Sequence, residues 1–252
     1  MPGSLVTALG LVAYVASIGT MAALAPFLAG VILPRTVDRG PGGAAATALA
    51  VDLALLLGFA CVHSVLARPA ARAALARRLP AGLERAAYSL LACAQWLLLF
   101  ATWRPLPATV WQLEHPAARA VVWGLFAAGW AVVLAGFVAL DGRHLFGLAQ
   151  ARAAARGVPE PVAPVVARGI YRHLRHPLYA GTVLALWAAP TMSAGHLLLA
   201  SVLTLYVVIG CRLEDRDLLA RYGEPYRAYR AAVPGFLPRL VPLRPRRDAV
   251  AS

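Results

Sequence analysis

Six apolar runs dominate this sequence and restrict what the chain can fold into. They cover residues 6–33, 49–66, 86–103, 117–140, 178–189 and 194–211. A helix of about 20 apolar residues crosses the core of a bilayer and satisfies its own backbone polar groups. The runs lack the alternation of a membrane β-barrel strand. The sequence therefore predicts an all-α, polytopic membrane protein with about six transmembrane helices, the last two forming a short hairpin, followed by C-terminal interfacial helices on the cytoplasmic side.

The charged residues support this assignment. Only 14% of the 252 residues are charged, against about 25% in a typical soluble domain. All 24 cationic residues are arginine and the net charge is +13, which in a soluble protein would suggest nucleic acid. Here the arginines concentrate in loops 68–85 and 141–176 and after residue 211, as the positive-inside rule describes for cytoplasmic loops. The pattern predicts cytoplasmic termini and no nucleic-acid partner.

The chain divides into parts of different character within one integral membrane domain, residues 1–252. Residues 1–140 hold the four long apolar runs, residues 141–239 are polar and rich in motifs, and 240–252 form an Arg-rich tail predicted to be disordered. The run 178–189 gives only about 18 Å of helix, less than a bilayer core of about 30 Å. Pro190 ends this run and the next five residues are predicted to turn the chain.

Two short amphipathic helices are predicted after Cys211. Leu218, Leu219 and Tyr222 share one face, while Tyr226, Tyr229 and Val233 recur at helical spacing further on. Gly223 and Pro225 between them are typical of a helix end and of a helix first turn. The sequence therefore places both helices at the membrane interface.

Polar residues inside the spans are costly in lipid and are candidate functional residues. They are Asp52, His63, Gln95, Asp141 and His196. Structural alternatives stay open for them, since Gln95 suits a helix–helix hydrogen bond and His63 or His196 could be interfacial residues.

The richest polar region combines residues 168–181 with residues 212–230. The first part places arginines and histidines before Pro177, and a helix N-terminus there favours an anion such as a carboxylate or phosphate. The second part holds the pair Glu214–Asp215 and three tyrosines, which suit an amine, a ribose diol, a flat base or a sulfonium. S-adenosylmethionine carries all these groups, although anionic lipid headgroups would satisfy the cations alone.

Other chemistries fit the sequence less well. His173 and His176 have a spacing that could hold a metal, but the neighbouring arginines repel a dication and an acidic ligand is missing beside them. No second axial ligand accompanies His63 for a haem. Ser64 follows His63 directly, and adjacent helical residues do not face one another. We therefore predict no metal site and no serine hydrolase.

Two passages resemble a known family. The segments RGIYRHLRHPLYAG (168–181) and LEDRDLLARYGEPYRAYRAAVP (213–234) resemble the C-terminal signature of the isoprenylcysteine carboxyl methyltransferase superfamily. That signature consists of RHPxYxG, a helical hairpin, an acidic pair and a GxxYxxY…VP ending. The resemblance implies an S-adenosylmethionine-dependent methyltransferase of the membrane.

Further segments are similar to the membrane-bound methanethiol S-methyltransferases of bacteria. These are PRTVDRGP (34–41), VHSVLARP (62–69), WRPLP (103–107), LFGL (145–148) and APTMSAGH (189–196). The resemblance implies methyl transfer to methanethiol, giving dimethyl sulfide, by a multi-pass protein of the bacterial inner membrane with a cytoplasmic donor site. The segment 141–144 departs from the order of His and Asp expected there.

The resemblance also implies roles for residues at matching motif positions. Arg175 and His176 would hold the carboxylate of the donor, while Glu214 and Asp215 would reach its amine or ribose. Tyr226 and Tyr229 would close a lid. The complete set expected to bind the donor is Tyr171, Arg175, His176, Pro177, Leu178, Tyr179, Glu214, Asp215, Tyr226 and Tyr229.

Methyl transfer from a sulfonium is an in-line displacement, and its nucleophile is the thiolate. Because a simple alkyl thiol has a pKa above the cysteine value of about 8.5, a base would help. We expect His63 to be this base and Asp141 to orient it, with a small thiol substrate entering from membrane lipid. Two alternatives remain: the same fold acting on a prenylcysteine or lipid acceptor, and a non-enzymatic denitrification-associated membrane protein expected to lack the acidic pair and tyrosine ending.

Overall fold

The computed structural model describes residues 1–159 and 168–239. The helices in chain order are α1 (Gly3–Ala29), α2 (Ala45–Ala67), α3 (Pro69–Ala76), α4 (Glu84–Thr102), α5 (Pro116–Ala139), α6 (Gly142–Leu145), α7 (Leu148–Ala155), α8 (Pro177–Trp187), α9 (Ala194–Tyr222) and α10 (Glu224–Ala232). A 3₁₀ turn covers Gly169–Arg172, and two short strands are β1 (Thr109–Gln112) and β2 (Thr191–Ser193). The tail 240–252, predicted to be disordered, lies outside the described residues.

Among residues 1–159 and 168–239, five helices have the length and apolar composition needed to cross a membrane: α1, α2, α4, α5 and α9. This confirms the prediction of an all-α polytopic membrane protein. The sixth predicted crossing is α8, which has only 11 residues and therefore a length of about 16 Å.

Two short strands connect the loop that follows α8 to the loop that precedes α5. β1 lies between α4 and α5, β2 lies between α8 and α9, and the two strands pair antiparallel. The loops that carry them therefore lie at the same end of the bundle. The prediction that residues 191–195 form a turn is wrong in part, because Thr191–Ser193 forms one strand of this pair.

Glycines bring α5 and α8 into close contact. A Cβ on Gly181 would lie 2.5 Å from the carbonyl oxygen of Gly129, and a Cβ on Gly129 would lie 2.7 Å from that of Gly181. Small residues of this kind let helix backbones approach closely in a membrane. The contact fixes α8, and with it the RHPLY motif at its start, against the bundle.

The C-terminal segment differs from its prediction in one respect. Ala194–Tyr222 is one continuous helix, so residues 212–222 extend the transmembrane helix and do not form a separate interfacial one. Gly223 ends α9 and Pro225 lies in the first turn of α10, as predicted. Tyr226, Tyr229 and Val233 form a buried cluster with Leu218, Leu219 and Tyr222 packed against it.

Candidate functional site

The RHPLY motif lies where the start of α8 meets the chain after α10. Pro177 occupies the first turn of α8, where its missing N–H costs no helical hydrogen bond. The backbone N–H of Arg175 donates to the carbonyl of Pro234 at 2.9 Å, and that of His176 donates to Gly235 at 3.1 Å. Backbone hydrogen bonds to the residues that follow α10 therefore fix the position of the motif.

Arg175 ties these segments together through its side chain. One guanidinium nitrogen donates to the carbonyls of Arg230 at 3.0 Å and Val233 at 2.8 Å. The other terminal nitrogen donates to Asp215 Oδ2 at 3.1 Å. Since the Arg175 side chain is only 12% exposed, its charge is neutralised inside the protein by Asp215.

Asp215, on α9, is the centre of the cluster. Its Oδ1 lies 3.1 Å from His176 Nε2 and also accepts a hydrogen bond from the Tyr226 hydroxyl. Its Oδ2 pairs with Arg175 and lies 3.7 Å from Arg230 Nε. We call Arg175, His176, Asp215 and Tyr226 the ion-pair cluster. It joins all three segments that the two sequence motifs supply.

The two predicted lid tyrosines are buried. Burial and the bond to Asp215 raise the pKa of Tyr226, and burial raises the pKa of Tyr229 to about 12. Both hydroxyls are therefore neutral donors near pH 7. Tyr229 donates to the carbonyl of Tyr171 at 2.8 Å, which anchors the 3₁₀ turn to α10. Their role as a lid stays a prediction.

His176 lies between the two acidic residues. Burial lowers its pKa, although contact with Asp215 opposes this effect, so the imidazole is neutral near pH 7. Its Nδ1 lies 3.9 Å from Glu214 Oε2, and its ring packs near Tyr179 and Phe236.

Glu214 differs from Asp215 because one of its carboxylate oxygens lacks a hydrogen-bond partner among the described residues. Its carboxylate bonds to the Tyr179 hydroxyl, but Oε2 is covered and has no hydrogen-bond partner among the described side chains and backbone. A buried carboxylate oxygen without a partner is costly. This oxygen therefore lacks a hydrogen-bond partner within the described residues, beside the ring of His176.

Two predicted residues, Pro177 and Leu178, face α5. A Cβ on Gly136 would lie 3.1 Å from Pro177 Cγ and 3.2 Å from Leu178 Cδ2. Both side chains therefore pack α8 against the bundle, on the side of the helix that carries Gly181.

His63, on α2, lies in a cluster of aromatic rings between α2, α4 and α9. Its Nε2 lies 2.5 Å from the Tyr88 hydroxyl oxygen, and its ring packs on Phe59 and meets the edge of Tyr206. Tyr206 is an electrostatic neighbour of Tyr179, the partner of Glu214. The aromatic cluster, defined by Phe59, His63, Tyr88 and Tyr206, thus adjoins the residues predicted to bind the donor.

Sequence reasoning did not identify Tyr88 and Tyr206. Each is a single tyrosine within an apolar run and has no motif around it. Polar groups inside membrane spans are functional candidates, so the hydroxyls of these two tyrosines could have identified them from the sequence.

The structure does not bring Asp141 to His63. Asp141 caps α6 and accepts hydrogen bonds from the backbone and guanidinium of Arg143, which lower its pKa. It lines an open cleft of about 910 Å³ with Tyr14 and Arg168. Within residues 1–159 and 168–239, the side chain that hydrogen-bonds to His63 is Tyr88.

The described ranges contain no group of three or more His, Cys, Asp and Glu side chains placed to hold a metal ion. The cysteines in these ranges are free; Cys93 and Cys211 are buried and Cys61 is exposed.

Comparison with known proteins identifies relatives over most of the chain. A family model described as NnrU protein matches residues 52–235. A methanethiol S-methyltransferase of Mycobacterium tuberculosis is 42% identical over 84% of this chain and 87% of its own length. Methanethiol S-methyltransferase 1 of Bradyrhizobium diazoefficiens is 35% identical over 91% of this chain and 80% of its own length.

A more distant relative is the nurim of Sus scrofa, 29% identical over 86% of this chain and 90% of its own length. No solved structure matches the chain. The NnrU match includes both motifs of the ion-pair cluster, and the relatives align over most of their own lengths. The chain therefore belongs to the NnrU protein family and to the family of the methanethiol S-methyltransferases.

Proposed function

We propose that this protein is a methyltransferase that converts methanethiol to dimethyl sulfide, with S-adenosylmethionine as the methyl donor. One observation carries the proposal: relatives with this named activity align over more than four fifths of this chain. The structure supports it because RHPLY and the acidic pair, 39 positions apart between His176 and Asp215, form one buried cluster.

The chemistry of the cluster fits the proposed donor. Glu214 Oε2, a buried acceptor without a partner among the described residues, would accept from the ammonium or ribose hydroxyls. The N-terminus of α8 favours a carboxylate, and the rings of Tyr179 and Phe236 beside His176 would pack against flat or cationic groups. Bound there, the donor would supply an electrophilic methyl group on its sulfonium.

The internal pairing of Arg175 refines its predicted role. Arg175 already donates to Asp215 and to two carbonyls, so we infer that it mainly builds the site. His176 and Glu214 then present the groups that face the donor.

We assign the thiol side of the reaction to the aromatic cluster. His63 there would provide an imidazole to take the thiol proton. Because the thiolate is the reactive form, this deprotonation would precede methyl transfer.

The alternative is a non-enzymatic membrane protein, which is expected to lack the acidic pair and the tyrosine ending. This chain has both features, and its relatives carry the name of an enzyme. The methyltransferase is therefore the function that these observations favour.

The test is headspace gas chromatography on purified protein given S-adenosylmethionine and methanethiol. Wild type and His115→Ala, which changes an exposed histidine outside the cluster, should form dimethyl sulfide, while His176→Ala should not. Binding of labelled S-adenosylmethionine without product would move the proposal to a larger thiol or a lipid acceptor. Neither product nor donor binding would favour the non-enzymatic role.

A further inference from the structure

The two tyrosines predicted to form a lid are fixed inside the protein. Tyr226 is 2% exposed, and its hydroxyl donates to Asp215. Tyr229 is 9% exposed, and its hydroxyl donates to the carbonyl of Tyr171. To move, either ring would have to break a buried hydrogen bond, which is costly because it leaves a partner unsatisfied. Neither ring is therefore suited to open and close as a donor enters and leaves.

His176 has to become accessible if it is to face a donor, because its side chain is only 5% exposed. Two aromatic rings lie beside its imidazole. The ring centroid of Tyr179 is 5.9 Å away and that of Phe236 is 6.2 Å away. The Tyr179 hydroxyl bonds to Glu214, whereas Phe236 has no polar atom in its side chain and is 37% exposed. Phe236 is therefore the neighbour of the imidazole that can move at the smallest cost.

Phe236 lies on a short loop that is fixed at both ends to the RHPLY motif and the residues before it. At one end, the N–H of Arg175 donates to the carbonyl of Pro234 at 2.9 Å. At the other end, the N–H of Arg239 donates to the carbonyl of His173, and His173 Nδ1 donates to the carbonyl of Arg239, both at 3.0 Å. The backbone of the loop therefore stays in register with the motif, while the exposed side chain of Phe236 can change rotamer.

We propose that Phe236 is a donor-binding residue whose ring turns away from His176 to admit S-adenosylmethionine and then packs on the adenine base. This inference rests on the proposed function for the identity of the donor. Tyr179 has Tyr206 of the aromatic cluster as a neighbour, so the sulfonium methyl faces the thiol on that side. Phe236 lies at the exposed edge of the site, where it meets the part of the donor farthest from the reacting methyl. That part is the flat base, which stacks well on an aromatic ring.

Carbethoxylation by diethyl pyrocarbonate, followed by mass spectrometry of the peptides, tests whether Phe236 covers His176. Phe236→Ala should react faster than wild type at His176. Leu237→Ala is the matched control, because the neighbouring Leu237 side chain is 79% exposed, and it should react at the wild-type rate. His173 should keep its rate in all three proteins, since its bond to Arg239 is lost only if the whole loop detaches. Equal rates at His176 in wild type and Phe236→Ala would overturn the cover.

Titration with S-adenosylmethionine and S-adenosylhomocysteine tests the contact with the base. Phe236→Ala should weaken the binding of both by roughly tenfold, the size expected for loss of one base–aromatic stack. S-adenosylhomocysteine has the base but lacks the sulfonium charge, so a contact with the sulfonium would weaken S-adenosylmethionine alone. Phe236→Tyr should restore binding and Phe236→Leu should not, because leucine lacks a flat face. Leu237→Ala should bind both like wild type.

In turnover, the loss in Phe236→Ala should appear in KM for S-adenosylmethionine, with kcat unchanged, whereas a collapsed site would also lower kcat. Unchanged binding in Phe236→Ala, full rescue by Phe236→Leu, or weakening of S-adenosylmethionine alone would each overturn the contact with the base. Wild type that binds neither nucleoside would contradict the proposed function together with that contact, and carbethoxylation would still decide whether Phe236 covers His176. Phe236-dependent donor binding without dimethyl sulfide would contradict only the proposed acceptor and would support the inference.

Discussion

At the scale of single residues, Asp215 holds the ion-pair cluster together. Its carboxylate is 10% exposed and pairs with Arg175, which is 12% exposed, while His176 and Tyr226 bond to the same group. Sequence reasoning identified all four residues through their motifs. It assigned Arg175 to the donor, whereas the structure pairs it with Asp215, because a charge enclosed by protein needs an internal partner.

Asp215→Asn should therefore destabilise the protein strongly. The change leaves the buried guanidinium of Arg175 without its counter-charge, which costs about 3–5 kcal/mol and should lower the thermal unfolding midpoint in detergent by about 10 °C. The control is Asp217→Asn, because Asp217 pairs with Arg68 in an exposed ion pair and should shift the midpoint by at most a few degrees. Equal shifts in the two variants would contradict a buried ion-pair cluster.

His176 should make stability depend on pH. Burial lowers its pKa below the usual 6.5, so its neutral form is favoured by folding. Such a group adds stability above pH 6.5 that is lost as the pH falls through the lowered pKa. The unfolding midpoint of wild type should fall as the pH drops below 6.5, and should fall less in His176→Asn. His115→Asn is the control and should follow wild type; a wild-type slope in His176→Asn would contradict the assignment.

At the scale of elements, the contact between α5 and α8 positions the RHPLY motif. Gly129 and Gly181 allow the two backbones to touch, and Pro177 and Leu178 extend the same contact to Gly136. Sequence patterns predicted α8 as residues 178–189, within two residues of its observed bounds, Pro177–Trp187. They did not predict which helix α8 packs against, because both helices are apolar on all sides and their sequences carry no periodicity that distinguishes partners.

Gly181→Leu should separate α5 from α8 and displace the motif. The new side chain would overlap the carbonyl of Gly129, and overpacking of this kind costs roughly 1–3 kcal/mol. We expect a lower unfolding midpoint and loss of donor binding, measured with labelled S-adenosylmethionine. Gly124→Leu on α5 is the matched control, because a Cβ there meets no atom within 4 Å. Donor binding that survives in Gly181→Leu would show that this contact does not position the site.

At the scale of the whole molecule, the two ends of the bundle carry different structures. The β1–β2 pair joins two interhelical loops at one end. Asp215 falls about 30 Å along α9 from Ala194 at 1.5 Å per residue, which is the thickness of a bilayer core. The ion-pair cluster and α10 therefore lie at the opposite end from the strands.

Cysteine labelling in cells should reveal these two faces. In a chain whose natural cysteines are replaced by serine, exposed Val110→Cys and Thr191→Cys should both react with an impermeant maleimide from one side of the membrane. Arg227→Cys, on the exposed face of α10, should react only from the other side. Labelling of Thr191→Cys and Arg227→Cys from the same side would contradict this arrangement.

The sequence by itself determined the membrane class, the long helices and the residues of the ion-pair cluster. Each follows from a local property: length and hydropathy of a run, proline and glycine at helix ends, or a motif of adjacent residues. Tertiary structure alone decided that Arg175 pairs with Asp215, that Thr191–Ser193 forms a strand, that Tyr88 partners His63 and that Asp141 lies away from it. Those outcomes depend on which helices become neighbours. Apolar helices in lipid select their neighbours through close packing and buried hydrogen bonds. The order of residues along one helix does not encode these contacts.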